Sequence, residues 1–160
     1  RLGWIDKIPR LVGVQAEGSS VLAHAWQNEF KAEEIVQMTA TTIADSISSE
    51  LPRDRAKALR AVRETYGVYI TVSDDEIVAA IPEFAQLSGV FAEPAAVATY
   101  AGAQRAAKLG VIHADESVCL LMTGNGLKDV RRAQQSVAQG IRVKPNIDSV
   151  REALIRVRNI

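Results

Sequence analysis

Cysteine is almost missing from this chain. Cys119 is the only one in 160 residues, so no disulfide can form within it. Set in an apolar run, that thiol is expected to be a small core residue in a reducing compartment. Excess charge of either sign is also missing: 19 Lys and Arg balance 19 Asp and Glu. General nucleic-acid or membrane-surface binding relies on a surplus of basic side chains, so both partner classes are set aside. No apolar stretch approaches the ~20 residues that cross a bilayer, and no signal peptide is read. With two histidines far apart, His24 and His113, and a single cysteine, there is no zinc-binding spacing. Neither a G-x-S-x-G elbow nor a Walker lysine is present, and no internal repeat or low-complexity linker interrupts the chain. These absences leave one globular domain over residues 1–160, cytoplasmic by expectation and long enough to bury a core. The chain starts at an arginine, which suggests a fragment, a processed chain or an excised domain.

What is present alternates between strand-like and helix-like segments. Residues 1–9 read as a helix end running into a loop. Leu11–Ala16 is an apolar, β-branched run expected to form a strand. Glu17-Gly18-Ser19-Ser20 is a turn with Ser20 as a candidate cap, and Val21, Leu22, Ala25, Trp26 and Phe30 follow at helical spacing. Residues 31–50 are less decipherable, and Thr39–Ile47 keeps neither period, as a loop crossing the end of a sheet would. Pro52 and Asp54 open a helix predicted to reach Tyr66, with Ala58, Leu59, Val62 and Tyr66 inward and Gly67 ending it. Val68–Val72 is a second strand. Ser73-Asp74-Asp75-Glu76 is a capping box opening a helix that faces Ile77, Ile81, Phe84 and Leu87 inward, is bent at Pro82 and stops at Gly89.

Glu93-Pro94 starts an alanine-rich helix, predicted to be the most buried of all. Its acidic residue suits the positive helix end, which explains it without any ligand. The run Val118–Met122, closed by Thr123-Gly124-Asn125-Gly126, reads as a strand buried on both faces of a parallel sheet. Ile141–Val143 alternates like an edge strand, and Asn146 or Asp148 could cap a last amphipathic helix. The pattern gives an α/β fold in three layers, a mostly parallel sheet with helices on both faces.

Ligands of open α/β sheets gather beyond the carboxyl ends of strands. Thr123, Gly124, Glu17 and Gly18 are predicted to stand there, with Glu93 a further candidate. Glu17 is equally explained as a solvated turn carboxylate. Residue chemistry alone yields a ligand site without a complete catalytic set.

Several runs then resemble one family in order along the chain. Residues Pro9–Gly18 (PRLVGVQAEG), Thr42–Ile47 (TIADSI), Val72–Ile77, Phe91–Ala95 (FAEPA) and Met122–Asp129 (MTGNGLKD) are similar to segments of threonine synthases. The resemblance covers nearly the whole chain. It implies the pyridoxal-phosphate enzymes of the tryptophan-synthase β-subunit fold, and formation of threonine from O-phosphohomoserine. It implies that Thr123 hydrogen-bonds the pyridine nitrogen, that Glu17 and Gly18 line the ring, and that Glu93 lies near the cofactor. Gly124 would let the ring approach the backbone.

In that family the Schiff-base lysine and the glycine-rich phosphate loop lie upstream of the matched segment. None of Lys7, Lys31, Lys57, Lys108, Lys128 and Lys144 stands in the Schiff-base context. The chain is therefore expected to be a carboxyl-terminal part, inactive alone. It would be partnered by the missing amino-terminal part, act on a small amino-acid substrate, and form a homodimer in the full protein. A dehydratase or cysteate synthase of the same fold, or a noncatalytic α/β domain derived from it, remain alternatives. A piece of a sheet protein is also expected to expose unpaired edges and a bare apolar face.

Overall fold

A computed structural model describes residues 3–158 of the chain, so part of the expected amino-terminal helix end, Arg1 and Leu2, falls outside the described residues. From Gly3 to Pro9 no helix forms.

Among the described residues two parallel strands make the sheet: β1, Val12–Ala16, and β2, Val68–Val72, with Val12 opposite Val68 and Ala16 opposite Val72. Their β-branched residues fit a pleated surface covered on both sides. Gly13 is a glycine because a Cβ there would run into the ring of Tyr69, its partner across the ladder.

Helices α1 (Val21–Gln27) and α2 (Arg55–Glu64) cover one face. Val21, Leu22, Ala25 and Leu59 are buried there, and Trp26 meets Tyr69 with ring centroids 5.8 Å apart. Burial pushes the Tyr69 phenol above its ordinary pKa, with the nearby Arg63 charge opposing. The other face carries α3 (Asp74–Ser88) and α4 (Pro94–Lys108). Ala16 and Val72 of the sheet pack there with Ile77, Ala80 and Ile81 of α3 and Ala95–Ala98 of α4. The small residues let α4 lie against the strands, and a Cβ on Gly102 would overlap the side chain of Val14. The three-layer α/β arrangement and the deep burial of α4 agree with the sequence.

The linkers are built by long-range bonds. The segment before α2 passes the end of the sheet, where the Thr41 amide donates to the Gly18 carbonyl at 2.8 Å. Asp74 then accepts from the Thr42 hydroxyl at 2.6 Å and from the Ile43 amide at 3.1 Å. Ala44 beyond them is fully buried. The capping box forms as expected: the Glu76 amide donates to Ser73 Oγ and the Ser73 amide to Glu76 Oε2. α3 runs through Pro82 and ends at Gly89, whose φ is 72°.

Several expectations need correction. Ser20 does not cap α1; Gln15 reaches up from β1 and its Oε1 accepts from the Leu22 and Ala23 amides, each at 2.9 Å. Tyr66 is 90% exposed rather than inward, because it holds the left-handed turn after α2 with φ 54°. Gly67 is then needed for space, since a Cβ would strike the Leu11 carbonyl. Leu87 points outward in the last turn of α3.

The largest difference concerns Val118–Met122, which pairs with no strand among the described residues. Leu121 is 70% exposed and Cys119 lies on the surface, not in a core. A run suited to burial on both faces needs neighbouring strands, and here the sheet ends at β1 and β2. Ile141–Val143 is likewise exposed and forms no strand. Beyond α5 (Val130–Gln135), α6 (Ile147–Arg158) is capped by Asn146, whose Oδ1 accepts from the Ser149 amide at 2.9 Å.

Candidate functional site

The turn after Met122 is stitched to the segment that leads into α4. The Glu93 amide donates to the Gly124 carbonyl and the Gly126 amide to the Phe91 carbonyl, both at 3.0 Å. Ala92 and Asn125 form an isolated antiparallel bridge between these bonds. Asn125 Oδ1 accepts from the Leu127 amide at 2.9 Å, closing the turn on itself. Thr123 stands exposed immediately before this stitched pair of segments.

Glu93 is the least expected member. It occupies the N-cap position of α4, yet its side chain makes no capping bond. Its carboxylate, 7% exposed, turns toward the Gly124 turn and accepts from Lys128 Nζ at 3.0 Å. A Cβ on Gly124 would overlap that carboxylate, and one on Gly126 would overlap the Phe91 ring. Neither glycine has positive φ. Both are therefore explained by close packing within the protein rather than by turn geometry.

Glu17 and Gly18 stand at the carboxyl end of β1, in a second cluster. Arg105, in the last turn of α4, donates from Nη1 to Glu17 Oε1 at 3.2 Å and to Glu76 Oε2 at 3.1 Å. The Ser73 amide bonded to Glu76 holds this carboxyl below the usual carboxylate range, burial opposes that shift, and the Arg105 charge adds to it. Gly18 faces the Thr41 carbonyl so closely that a Cβ would collide with it. An open depression of about 280 Å³ lies beside Glu17, lined also by Ser20, His24, Gln27 and Thr71. A larger one, about 360 Å³ and lined by Lys31, Lys57, Arg60 and Arg63, sits on α2 away from every predicted site residue.

The structure thus brings Glu93 and Gly124 into contact beside Thr123, and places Glu17 and Gly18 with Arg105 and Glu76. No hydrogen bond among the described residues joins the two groups, whose anchors on α4 are separated by most of the helix, on the order of 20 Å. Lys128 and Arg105 were missed from the sequence. Their partners lie 35 and 88 residues away, beyond the reach of any local pattern. Among the described residues no cluster of metal-ligating side chains occurs and no helix is long and apolar enough to cross a membrane.

The family model described as pyridoxal-phosphate dependent enzyme matches residues 1–124. A threonine synthase of Methanosarcina acetivorans is 37% identical over 153 residues, 96% of this chain and 38% of its own length. That of Methanocaldococcus jannaschii is 32% identical over 152 residues, 95% of this chain and 37% of its own length. That of Mycobacterium tuberculosis is 36% identical over 129 residues, 81% of this chain and 33% of its own length. The chain therefore spans under two fifths of the length of these curated relatives. It belongs to the pyridoxal-phosphate dependent enzyme family, whose fold is tryptophan-synthase β-like and whose cofactor is pyridoxal phosphate.

Proposed function

We propose that this member of the pyridoxal-phosphate dependent enzymes is the carboxyl-terminal part of a threonine synthase. The full enzyme would be a cytoplasmic homodimer that converts O-phosphohomoserine and water to threonine and phosphate. The remaining, amino-terminal part would supply the lysine that holds the cofactor and the loop that binds its phosphate. The single α/β domain of residues 1–160 would form one wall of the site.

The observation that carries this reading is Thr123, an exposed hydroxyl next to a turn fixed by two backbone hydrogen bonds. That donor chemistry fits a pyridine nitrogen: a neutral hydroxyl donates to an unprotonated ring, whereas a carboxylate would keep the ring protonated. When bound, pyridoxal phosphate supplies an electron sink for carbanion chemistry at the amino-acid carbons. The chain's own contribution is orientation. The Thr123 hydroxyl would orient the ring through a bond of about 1 kcal/mol net, so its effect would lie in electronics and positioning more than in affinity. Glu93 would act from beneath the turn, whereas Glu17, held by Arg105 at the opposite end of α4, and Gly18 are left out of the ring contacts. No lysine here is assigned to hold the cofactor. Lys128 is committed to Glu93.

The test is substitution of Thr123 in the full enzyme. Thr123→Asp should change the ratio of products more than it changes cofactor retention, while Thr123→Ser stays near wild type. Unchanged product ratios in Thr123→Asp would remove Thr123 from the ring nitrogen. Absence of a visible cofactor band after pyridoxal phosphate is added to the wild-type enzyme would remove the enzymatic reading itself.

A further inference from the structure

Of the ion pairs among the described residues, Lys128–Glu93 alone has a carboxylate nearly removed from solvent. A carboxylate 7% exposed needs a charged partner, because leaving it unpaired is far costlier than the pair is favourable. Helix capping does not supply that partner, since the Glu93 side chain makes no bond to the amides of α4. Its backbone carbonyl instead takes the Ala96 and Val97 amides, at 3.0 and 2.9 Å. The carboxylate fills the place where a side chain on Gly124 would be. Lys128 reaches it from the far side of the same turn at 3.0 Å, so one buried charge joins both limbs of the turn. The Glu93 amide adds a bond to the Gly124 carbonyl between them.

We propose that Lys128 and Glu93 are positioning residues for Thr123. The ion pair clamps the Thr123–Lys128 turn to the start of α4, the most buried helix, and so fixes the direction in which the Thr123 hydroxyl donates. The proposal rests on the assignment of Thr123 to the pyridine nitrogen. It adds that the Lys128 side chain acts on the cofactor only through this clamp. Loss of the ammonium leaves Glu93 buried and unpaired, and the turn opens to hydrate it. Loss of both charges removes that drive.

The experiment compares Lys128→Met, Lys128→Arg, Glu93→Gln, the double variant Glu93→Gln/Lys128→Met and Thr123→Val in the full enzyme loaded with pyridoxal phosphate. Amide hydrogen exchange at Glu93 and Gly126 and visible circular dichroism of the bound cofactor are read well below the unfolding midpoint. Lys128→Met should speed exchange at both amides by about tenfold, the size expected for loss of a charge-assisted bond. It should change the cofactor dichroism in the same sense as Thr123→Val. Lys128→Arg should restore both signals, and the double variant should be less perturbed than Lys128→Met alone. Wild-type exchange and dichroism in Lys128→Met, with Thr123→Val still altered, would overturn the clamp while leaving Thr123 at the ring. A lowered unfolding midpoint with unchanged dichroism would overturn it too, because the pair would then be merely structural. Wild-type dichroism in Thr123→Val would instead remove the ring-nitrogen assignment and the clamp's role with it.

Discussion

Gly102 is where sequence propensity and packing make opposite demands, and its substitution weighs one against the other. Placing alanine in a helix interior gains about 1 kcal/mol over glycine from backbone entropy. Against that, a Cβ on Gly102 would stand 2.7 Å from Val14 Cγ1 and 3.1 Å from Val14 Cβ. The second contact matters most, because Val14 Cβ cannot move by rotation and its χ1 is stiff. Val14 is also held in register opposite Ile70, so β1 cannot withdraw without stretching the two-stranded ladder. Overpacking of this kind costs about 1–3 kcal/mol, more than the propensity gain across most of its range. Gly102→Ala should therefore lose about 1 kcal/mol net, and Gly102→Leu about 3 kcal/mol or more. Urea unfolding measures it: with a slope of about 1–3 kcal/mol per molar, the alanine variant's midpoint should fall by roughly 0.5 M at constant slope. Ala79→Gly, on the exposed side of α3, isolates the propensity contribution and should lose about 1 kcal/mol by itself. Because α4 carries both Glu93 and Arg105, Gly102→Leu should also weaken cofactor retention in the full enzyme. A Gly102→Ala variant as stable as wild type, with Ala79→Gly behaving as stated, would refute the reasoning. It would mean that α4 shifts off the sheet freely.

Other consequences are open to direct measurement. Glu76 has a folded-state pKa below the ordinary 4.5, so its contribution to stability is complete above that value and is lost as pH falls through the lowered one. Stability should therefore drop in acid below about pH 4.5, and Glu76→Gln should be less stable at neutral pH with a flatter acid limb; an acid limb as steep as wild type would contradict this. Asp74→Ala removes the acceptor for Thr42 and Ile43, so limited proteolysis should cut within residues 39–44 several-fold faster, and an unchanged rate would show that Ala44 burial holds the loop alone. Tyr66→Gly should stabilise by up to about 1 kcal/mol, since the ring is almost fully exposed and φ is 54°; a loss in thermal denaturation would show that the ring makes contacts that its exposure denies.

The elements legible in the sequence are those whose cause is local. The Ser73–Glu76 box, the proline start of α4 and the glycine after α3 each act within a turn of helix, and each formed as read. The small-residue face of α4 was also readable, because a run of alanines says that something must come close. What eluded the sequence was assigned by distant partners. Ser20 looks like a cap until Gln15, five residues earlier on the strand, takes the helix amides instead. Gly67 looks like a helix stop, but Tyr66 takes the left-handed conformation so that Gly67 can meet the Leu11 carbonyl. Glu93 looks like a dipole partner for α4 until Lys128, 35 residues later, is seen to hold it. In each case the residue had a satisfactory local role, and tertiary packing gave it another.

The run Val118–Met122 fails for a different reason. Its composition states correctly what it needs, two covered faces and strand neighbours, but not where those come from. Within the described residues the sheet offers only β1 and β2, already paired with each other, and their remaining edges meet no further strand. Val118 and Leu121 are accordingly exposed, and the same exposure continues through Leu127, Val137, Ile141 and Leu154. Apolar side chains at such density over the last third of the chain exceed the scattered singles of an ordinary monomer surface. The curated relatives are more than twice as long as the matched segment. Thr123 closes that exposed run and opens the clamped turn. Its hydroxyl therefore sits at the boundary between the packed turn and the uncovered apolar run.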